Sequence, residues 1–369
     1  MEAVVQDAAL QRLVDQVRAA QADDTRLAIR GSGSKDFLGG PIQGDLLSTQ
    51  ELRGISSYEP SELVITARAG TPLSEVEAAL AERGQCLPFE PPRHGPGVTV
   101  GGMIAAGLAG PARAAVGGVR DYMLGASVLN GRAEVLSFGG QVMKNVAGYD
   151  VPRLMAGSMG VLGVVLEASI KVLPVAPARL TLRLDMPQPH ALERLNAWGG
   201  QPLPIQASAW WDGVLVIRLS GARAAVESAR KLIGGEPIEA SLADAFWDGL
   251  RDQRDEFFTE AMGTVQAAGH LWRVSVPQTA APLPDVGSST LIEWGGAQRW
   301  LTTAEGDAAA EATLRRAAQQ AGGHAQIFRG PRSGTTLALD PVLLRIHRQL
   351  KAAFDPQGLF NPGRLHPDF

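Results

Sequence analysis

Residues 30 to 35 read Arg30-Gly31-Ser32-Gly33-Ser34-Lys35. An apolar run ends there in a Gly/Ser turn whose successive backbone N–H groups could form a concavity for an anion such as a phosphate. Taken alone the turn reads more readily as a solvent-exposed loop, which is common for GSGS between two elements. It is not a GxxxxGK[ST] nucleotide loop, and no GxGxxG opens a βαβ unit. A second segment, residues 99 to 173, places Gly101-Gly102, Gly107, Gly117-Gly118, Gly139-Gly140, Gly157, Gly160 and Gly163 between short apolar runs. Glycines gathered at element ends weaken strands and helices, and they occur where backbone must come very close to a neighbour or a ligand. The competing reading is a tightly turning sheet with glycines at its bulges.

Groups for acid–base or metal chemistry are sparse. His94, His190, His270, His324, His347 and His366 stand apart, with no pair at short metal-ligand spacing, so no metal is expected and no catalytic residue is assigned. His324, approached by Gly322-Gly323, is the most suggestive, although a histidine at a strand start is ordinarily structural. His94 lies in a proline-rich loop, where an exposed or structural role is the ordinary one. Arg273 and Arg299 could hold a carboxylate bidentately, or stack on the tryptophans beside them.

The elements that must position these groups belong to a chain of 369 residues, 45% hydrophobic and 20% charged, long enough for two domains with buried cores. A net charge of −4, a pI near 5.9 and the absence of a basic run argue against a nucleic-acid partner. The single cysteine, Cys86, excludes an intrachain disulfide and an iron–sulfur cluster held by this chain alone, and points to a reducing compartment. No apolar stretch reaches about 18 residues, so no membrane span is expected, and the opening segment reads as an amphipathic helix rather than a leader.

Along the chain, TRLAIR and LVITARA read as strands, and Leu73 onward as a helix with Thr71 or Ser74 as N-cap and Gly84 as C-cap. Proline punctuation sets a boundary between Lys171 and Arg179. Beyond it come a helix over PHALERLNAWGG, a hairpin turning at Asp212-Gly213, a glycine-closed helix over ARAAVESARKLIGG, further strands at LWRVSVP and STLIEWGGAQRWLTT, an alanine-rich helix, and a last amphipathic helix ending at Phe354.

Taken together and in order, Arg30 to Lys35, Thr99-Val100-Gly101-Gly102, Gly117-Gly118-Val119-Arg120-Asp121, Lys144 to Asp150 and Gly157-Ser158-Met159-Gly160-Val161-Leu162-Gly163 resemble the FAD-binding oxidoreductases of the vanillyl-alcohol oxidase type. Phe354 to Arg364, with Asn361 in its centre, resembles that family's closing motif. Within the family the chain is most similar to the FAD-binding subunits of glycolate oxidases, through Leu271 to Pro277, Ile292 to Trp300 and Gly322 to Ala325.

The resemblance implies an α+β fold: a two-subdomain FAD-binding domain of the PCMH type over 1–175, a smaller α/β cap over 176–345, and a tail over 346–369 that returns to the flavin domain. It implies FAD held non-covalently, because the first turn has no histidine and the second stretch no cysteine. The site residues it implies are Gly31, Ser32, Gly33 and Ser34 with Gly101 and Gly102 near the pyrophosphate and ribityl chain, together with Arg30, Lys35, Thr99 and Val100 as further FAD-binding positions. Gly107, Gly118, Arg120 and Asp121 follow, then Gly157, Ser158, Gly160, Leu162, Gly163 and Val164 toward the adenosine side, and Asn361. Backbone N–H groups could replace the water that a pyrophosphate dianion loses, each charge-assisted bond contributing roughly 1.5 to 3 kcal/mol.

Related 2-hydroxy-acid dehydrogenases carry an HxGDGNxH metal motif that this chain lacks. The implied role is therefore the second flavin subunit of a heteromeric glycolate dehydrogenase, working with a catalytic flavoprotein subunit and an iron–sulfur subunit, in the cytoplasm or at the inner face of its membrane through those partners. The alternatives are a self-sufficient FAD oxidase or dehydrogenase of a small hydroxy acid and a non-catalytic scaffold.

Overall fold

The computed structural model describes residues 7–140, 149–331 and 339–369. Asp7 accepts the N–H groups of Ala9 and Leu10, and so starts the helix Ala8–Asp23. That helix buries Leu13, Val14 and Val17 against Leu27 and Leu47. The strand Leu27–Arg30 pairs in parallel with Asp45–Ser48, so the Gly/Ser turn forms part of the crossover between them.

A five-stranded antiparallel sheet follows, in the order Ile55–Glu59, Val64–Arg68, Val164–Lys171, Met123–Leu129, Val135–Gly139. Its central strand is apolar on both sides for a physical reason. Val164 and Leu166 face the N-terminal helix, while Val165, Ala168 and Ile170 face the helices Leu73–Ala81 and Val100–Ala106. Sheet membership changes between Lys171 and Ala178: the strand Ala178–Asp185 joins a second, eight-stranded sheet that ends at His324–Arg329. Leu215, Ile217 and Leu219 point to the helices Gln188–Gly199 and Arg223–Ile233, and the alternate residue Val216 points with Ala207 and Ala209 to the opposite face.

That opposite face is covered by the helices Ala240–Asp252 and Glu256–Gln266, which the sequence reading did not single out. Both start on an acidic cap, Glu239 and Asp255. The hairpin turns at Asp212-Gly213, both at positive φ. The caps expected for the helix Leu73–Ala81 differ. Pro72 occupies the N-cap without a side-chain bond, because Thr71 Oγ1 instead exchanges bonds with the Gly54 N–H and carbonyl, and the C-cap is Glu82. Thr99 caps the start of the helix Val100–Ala106, accepting the Gly102 N–H, and Gly107 ends it. Among the described residues no helix is long and apolar enough to cross a membrane.

The tail returns as expected. After the helix Pro341–Phe354, Phe360 bridges in parallel to Leu27, placing the tail beside the first strand. The buried Lys351 ammonium fixes this return by donating to Asp355 at 2.7 Å and to the Val161 and Phe360 carbonyls at 2.8 Å each. Asp355 also accepts the Leu359 and Phe360 N–H groups. Lys351→Met strands a buried carboxylate, so it should lower unfolding stability by about 3–5 kcal/mol in urea titrations, whereas removing the exposed Arg12–Glu51 pair should cost less than about 1 kcal/mol.

Candidate functional site: a two-loop cleft and the cavity beside it

The first Gly/Ser turn, the N-terminus of the helix Val100–Ala106, the turn after the helix Val151–Met155 and the C-terminal tail meet around one cleft. It is lined by Arg30, Gly31, Ser32, Gly33, Ser34, Lys35, Thr99, Gly101, Gly102, Ser158, Gly160, Gly163 and Asn361 among the residues anticipated. Ile29, Ala69, Ala105, Met159 and Arg364 are among the other residues of its wall.

The glycines are where close approach requires them. A Cβ on Gly31 would stand 2.5 Å from Thr99 Oγ1, and Gly160, at φ +76°, would put one 2.6 Å from Asn361 Nδ2. Asn361 spans the gap between the two loops: its Oδ1 accepts the Ile29 N–H at 2.7 Å, and its Nδ2 donates to the Met159 carbonyl at 2.6 Å.

Two polar atoms in the cleft are buried with no hydrogen-bond partner among the described residues: Lys35 Nζ and Ser158 Oγ. Burial lowers the Lys35 pKa to about 8, against the opposing pull of Asp252. Arg30 is not available in the same way, since it pairs with Asp36. An unsatisfied ammonium and hydroxyl in a cleft walled by glycine backbone make a receptor for an anion, and a dianionic pyrophosphate fits that chemistry.

Other anticipated residues lie elsewhere. The Val100, Leu162 and Val164 side chains are in the core. Gly107 and Gly157 line neighbouring cavities. Gly118, Arg120 and Asp121 belong to the short helix Val119–Tyr122, which Asp121 caps by accepting the Gly118 N–H at 2.9 Å. Lys144 to Gly148 lie outside the described residues, whereas Tyr149 is exposed and Asp150 caps the following helix.

Beyond the helix Val100–Ala106, a second cavity opens between Gly107–Arg113 and the eight-stranded sheet, lined by His94, Arg273, Glu293, Trp294, Gln298 and His324 among others. The two candidate arginines separate here. Arg299 is a structural clamp, donating to the carbonyls of Gly296, Ala281 and Ala280. Arg273 forms no hydrogen bond or ion pair among the described residues, and its Nε is buried and unpartnered. Burial, and then Arg113, lower its pKa to about 10, so it stays charged at neutral pH. His324 does begin its strand, and burial followed by Arg273 holds it below its usual value. His94 packs edge-on against Phe37 and meets Arg329 at 3.3 Å through Nδ1, and burial drives its pKa to about 3.

Sequence reading missed Glu293, although a lone acid inside an apolar strand was a usable signal. Only 4% exposed, it has a pKa raised by burial to about 7 despite bonds from Trp300 Nε1 at 2.6 Å and Gln298 Nε2 at 3.1 Å. The unfolded carboxyl titrates near its ordinary 4.5, so the protonated native state is favoured below that pH, and this stability is lost as pH rises through 7. Glu293→Gln keeps the acceptor and removes the titration. Thermal melts between pH 5 and 8 should therefore fall less steeply in the variant, the Glu293 share being on the order of 3 kcal/mol.

The chain is similar to known FAD-binding proteins. An FAD binding domain matches residues 1–139, and the C-terminal domain of FAD linked oxidases matches residues 327–365. Glycolate oxidase subunit GlcE of Escherichia coli K12 is 47% identical over 359 residues, 97% of each chain. D-2-hydroxyglutarate dehydrogenase of Xanthomonas citri is 31% identical over 195 residues, 51% of this chain and 41% of the other. Glycolate oxidase subunit GlcD of Bacillus subtilis is 33% identical over 156 residues, 42% and 33% of the two chains. A solved alkyldihydroxyacetonephosphate synthase shares the fold, with a TM-score of 0.67 at 15% identity, covering 95% of this chain and 75% of that one.

Proposed function

Because the chain belongs to the FAD-linked oxidoreductases of the glycolate oxidase subunit GlcE family, we propose that it is the flavin-binding subunit of a heteromeric glycolate dehydrogenase that converts glycolate to glyoxylate. The observation that carries this reading is the cleft itself, which the glycine-rich turn, Ser158 and the unpartnered Lys35 line together. The Gly31 to Ser34 turn and Lys35 hold the FAD pyrophosphate, Gly101 and Gly102 let it come close to the start of the helix Val100–Ala106, and Ser158, Gly160 and Gly163 line the other side. Asn361 holds the two loops at a fixed separation. Bound there, the flavin supplies two-electron redox chemistry.

Electrons leave through a partner. A chain with one cysteine does not ligate an iron–sulfur cluster by itself, and the relatives GlcE and GlcD are named as subunits. The complex therefore includes a catalytic flavoprotein subunit and an iron–sulfur subunit, with any membrane association made through them. Tagged full-length chain expressed with its neighbours should co-purify with flavin, iron and a second flavoprotein. Recovery of the chain alone, colourless and free of iron, would overturn the reading.

Lys35→Met should weaken FAD binding about 10- to 100-fold, the share of one charge-assisted bond. An arriving pyrophosphate raises the Lys35 pKa above 8, so wild-type affinity holds below pH 8 and declines above it, whereas the methionine variant shows a flat profile. Fluorescence titration of the apoprotein with FAD across pH 6–10 measures both.

A further inference from the structure

We propose that the cavity between Gly107–Arg113 and the strand residues Arg273, Glu293 and His324 is a proton-coupled carboxylate site. A small carboxylate seats on the Arg273 and Arg113 guanidiniums, and Glu293 takes up the proton that enters with it. The ligand class rests on the function proposed above; the geometry of the cavity does not.

Arg273 and Arg113 share this cavity, and neither forms an ion pair among the described residues. Aromatic faces hold them in place: Arg273 stands 5.4 Å from the Phe328 ring centre and Arg113 stands 4.7 Å from that of Trp294. Ring contacts orient a guanidinium without neutralising it. Trp294 is itself anchored, donating from Nε1 to the Gly110 carbonyl at 3.1 Å. Two like charges and a buried, unpartnered Nε therefore border one cavity, and a planar carboxylate matches the donor fork of a guanidinium.

Glu293 contributes the second half of the device. Both of its donors, Trp300 Nε1 and Gln298 Nε2, bond to Oε2, and Oε1 has no hydrogen-bond partner among the described residues on a side chain that lines the cavity. Asp255 and Glu90 add negative charge from the surrounding elements. Arg113, Arg251, Arg273, His324 and His94 line the same cavity. With a pKa already near 7, the carboxyl is poised so that one more anion nearby drives it to the protonated form. The imidazoles do not compete, since His94 titrates near 3 and His324 is held below its usual value. Asp255 titrates near 6, but its carboxylate accepts the Phe258 N–H in a helix cap and does not line the cavity.

The test is calorimetric titration of the full-length, flavin-loaded chain with oxalate at pH 7.5, in buffers of different ionisation heat. Wild type should bind oxalate with net proton uptake. Glu293→Gln should bind without uptake, Asp255→Asn should retain it, and Arg273→Met should lose about tenfold or more in affinity at unchanged flavin content. Absence of oxalate binding, uptake that persists in Glu293→Gln, or unchanged affinity in Arg273→Met would each overturn the site.

Should Glu293→Gln fail to fold, infrared difference spectra of the wild type decide. A carboxyl titrating near pH 7 must move upward when oxalate is added, and a band that stays in place refutes the coupling. The flavin-free chain should show the same uptake, so failure of the dehydrogenase reading leaves a result distinguishable from failure of this one.

Discussion

One primary amide holds the cleft together. Asn361 accepts from Ile29 on the first loop and donates to Met159 on the second, while its own N–H reaches the Leu27 carbonyl at 2.9 Å. Three segments far apart in sequence thereby acquire a fixed separation, which a site made of backbone N–H groups needs more than one made of long side chains. A hydroxyl or a carboxylate in its place would lack either the reach or the donor. Gly160 must lack a Cβ because the amide passes through that space, so one interaction dictates a second residue type. The Lys351–Asp355 pair then determines where Asn361 can stand.

The cavity beside the cleft depends on packing rather than on hydrogen bonds. Phe37, Phe328, Trp300, Phe258 and Phe257 form a continuous edge-to-face series that begins on the first loop and crosses into the eight-stranded sheet. Arg329 lies over Phe37 at 3.5 Å and touches His94. Because Met159, Ala106 and Leu108 pack into the same cluster, the cleft loops and the sheet share one core. Arg273 and Glu293 consequently project from rigid strands into a space whose other wall continues from the cleft.

Most of the cleft was legible in the sequence, because a backbone-lined site leaves its mark as glycines, and glycine is a choice the chain makes locally. Gly31, Gly101 and Gly160 could be located without knowing their partners. Val100, Leu162 and Val164 could not be separated from their lining neighbours, since which way a residue between glycines points depends on a helix and a central strand that only tertiary packing sets. The cavity was much less legible. Arg273 and Arg299 occupy similar settings in sequence, an arginine beside a tryptophan, and differ only in whether carbonyls from residues 280, 281 and 296 arrive to saturate the guanidinium. Burial, which gives Glu293 its character, is likewise a property of the whole fold.

Charge placement explains why the anion receptors stay open in a chain whose net charge is −4. Asp252 is near enough to Lys35 to raise its pKa, yet its oxygens are taken by the Arg93 N–H at 2.8 Å, by Arg251 twice at 2.9 Å and by Arg254 at 3.1 Å. The lysine feels that field without receiving a bond. A free carboxylate within reach would have closed the receptor with an internal salt bridge, and an incoming pyrophosphate would then have to displace it. Saturating Asp252 with arginines keeps Lys35 charged enough to attract a phosphate below pH 8 and unpartnered enough to bind one. The same logic holds at Arg273, where an aromatic ring, rather than an acid, supports the guanidinium.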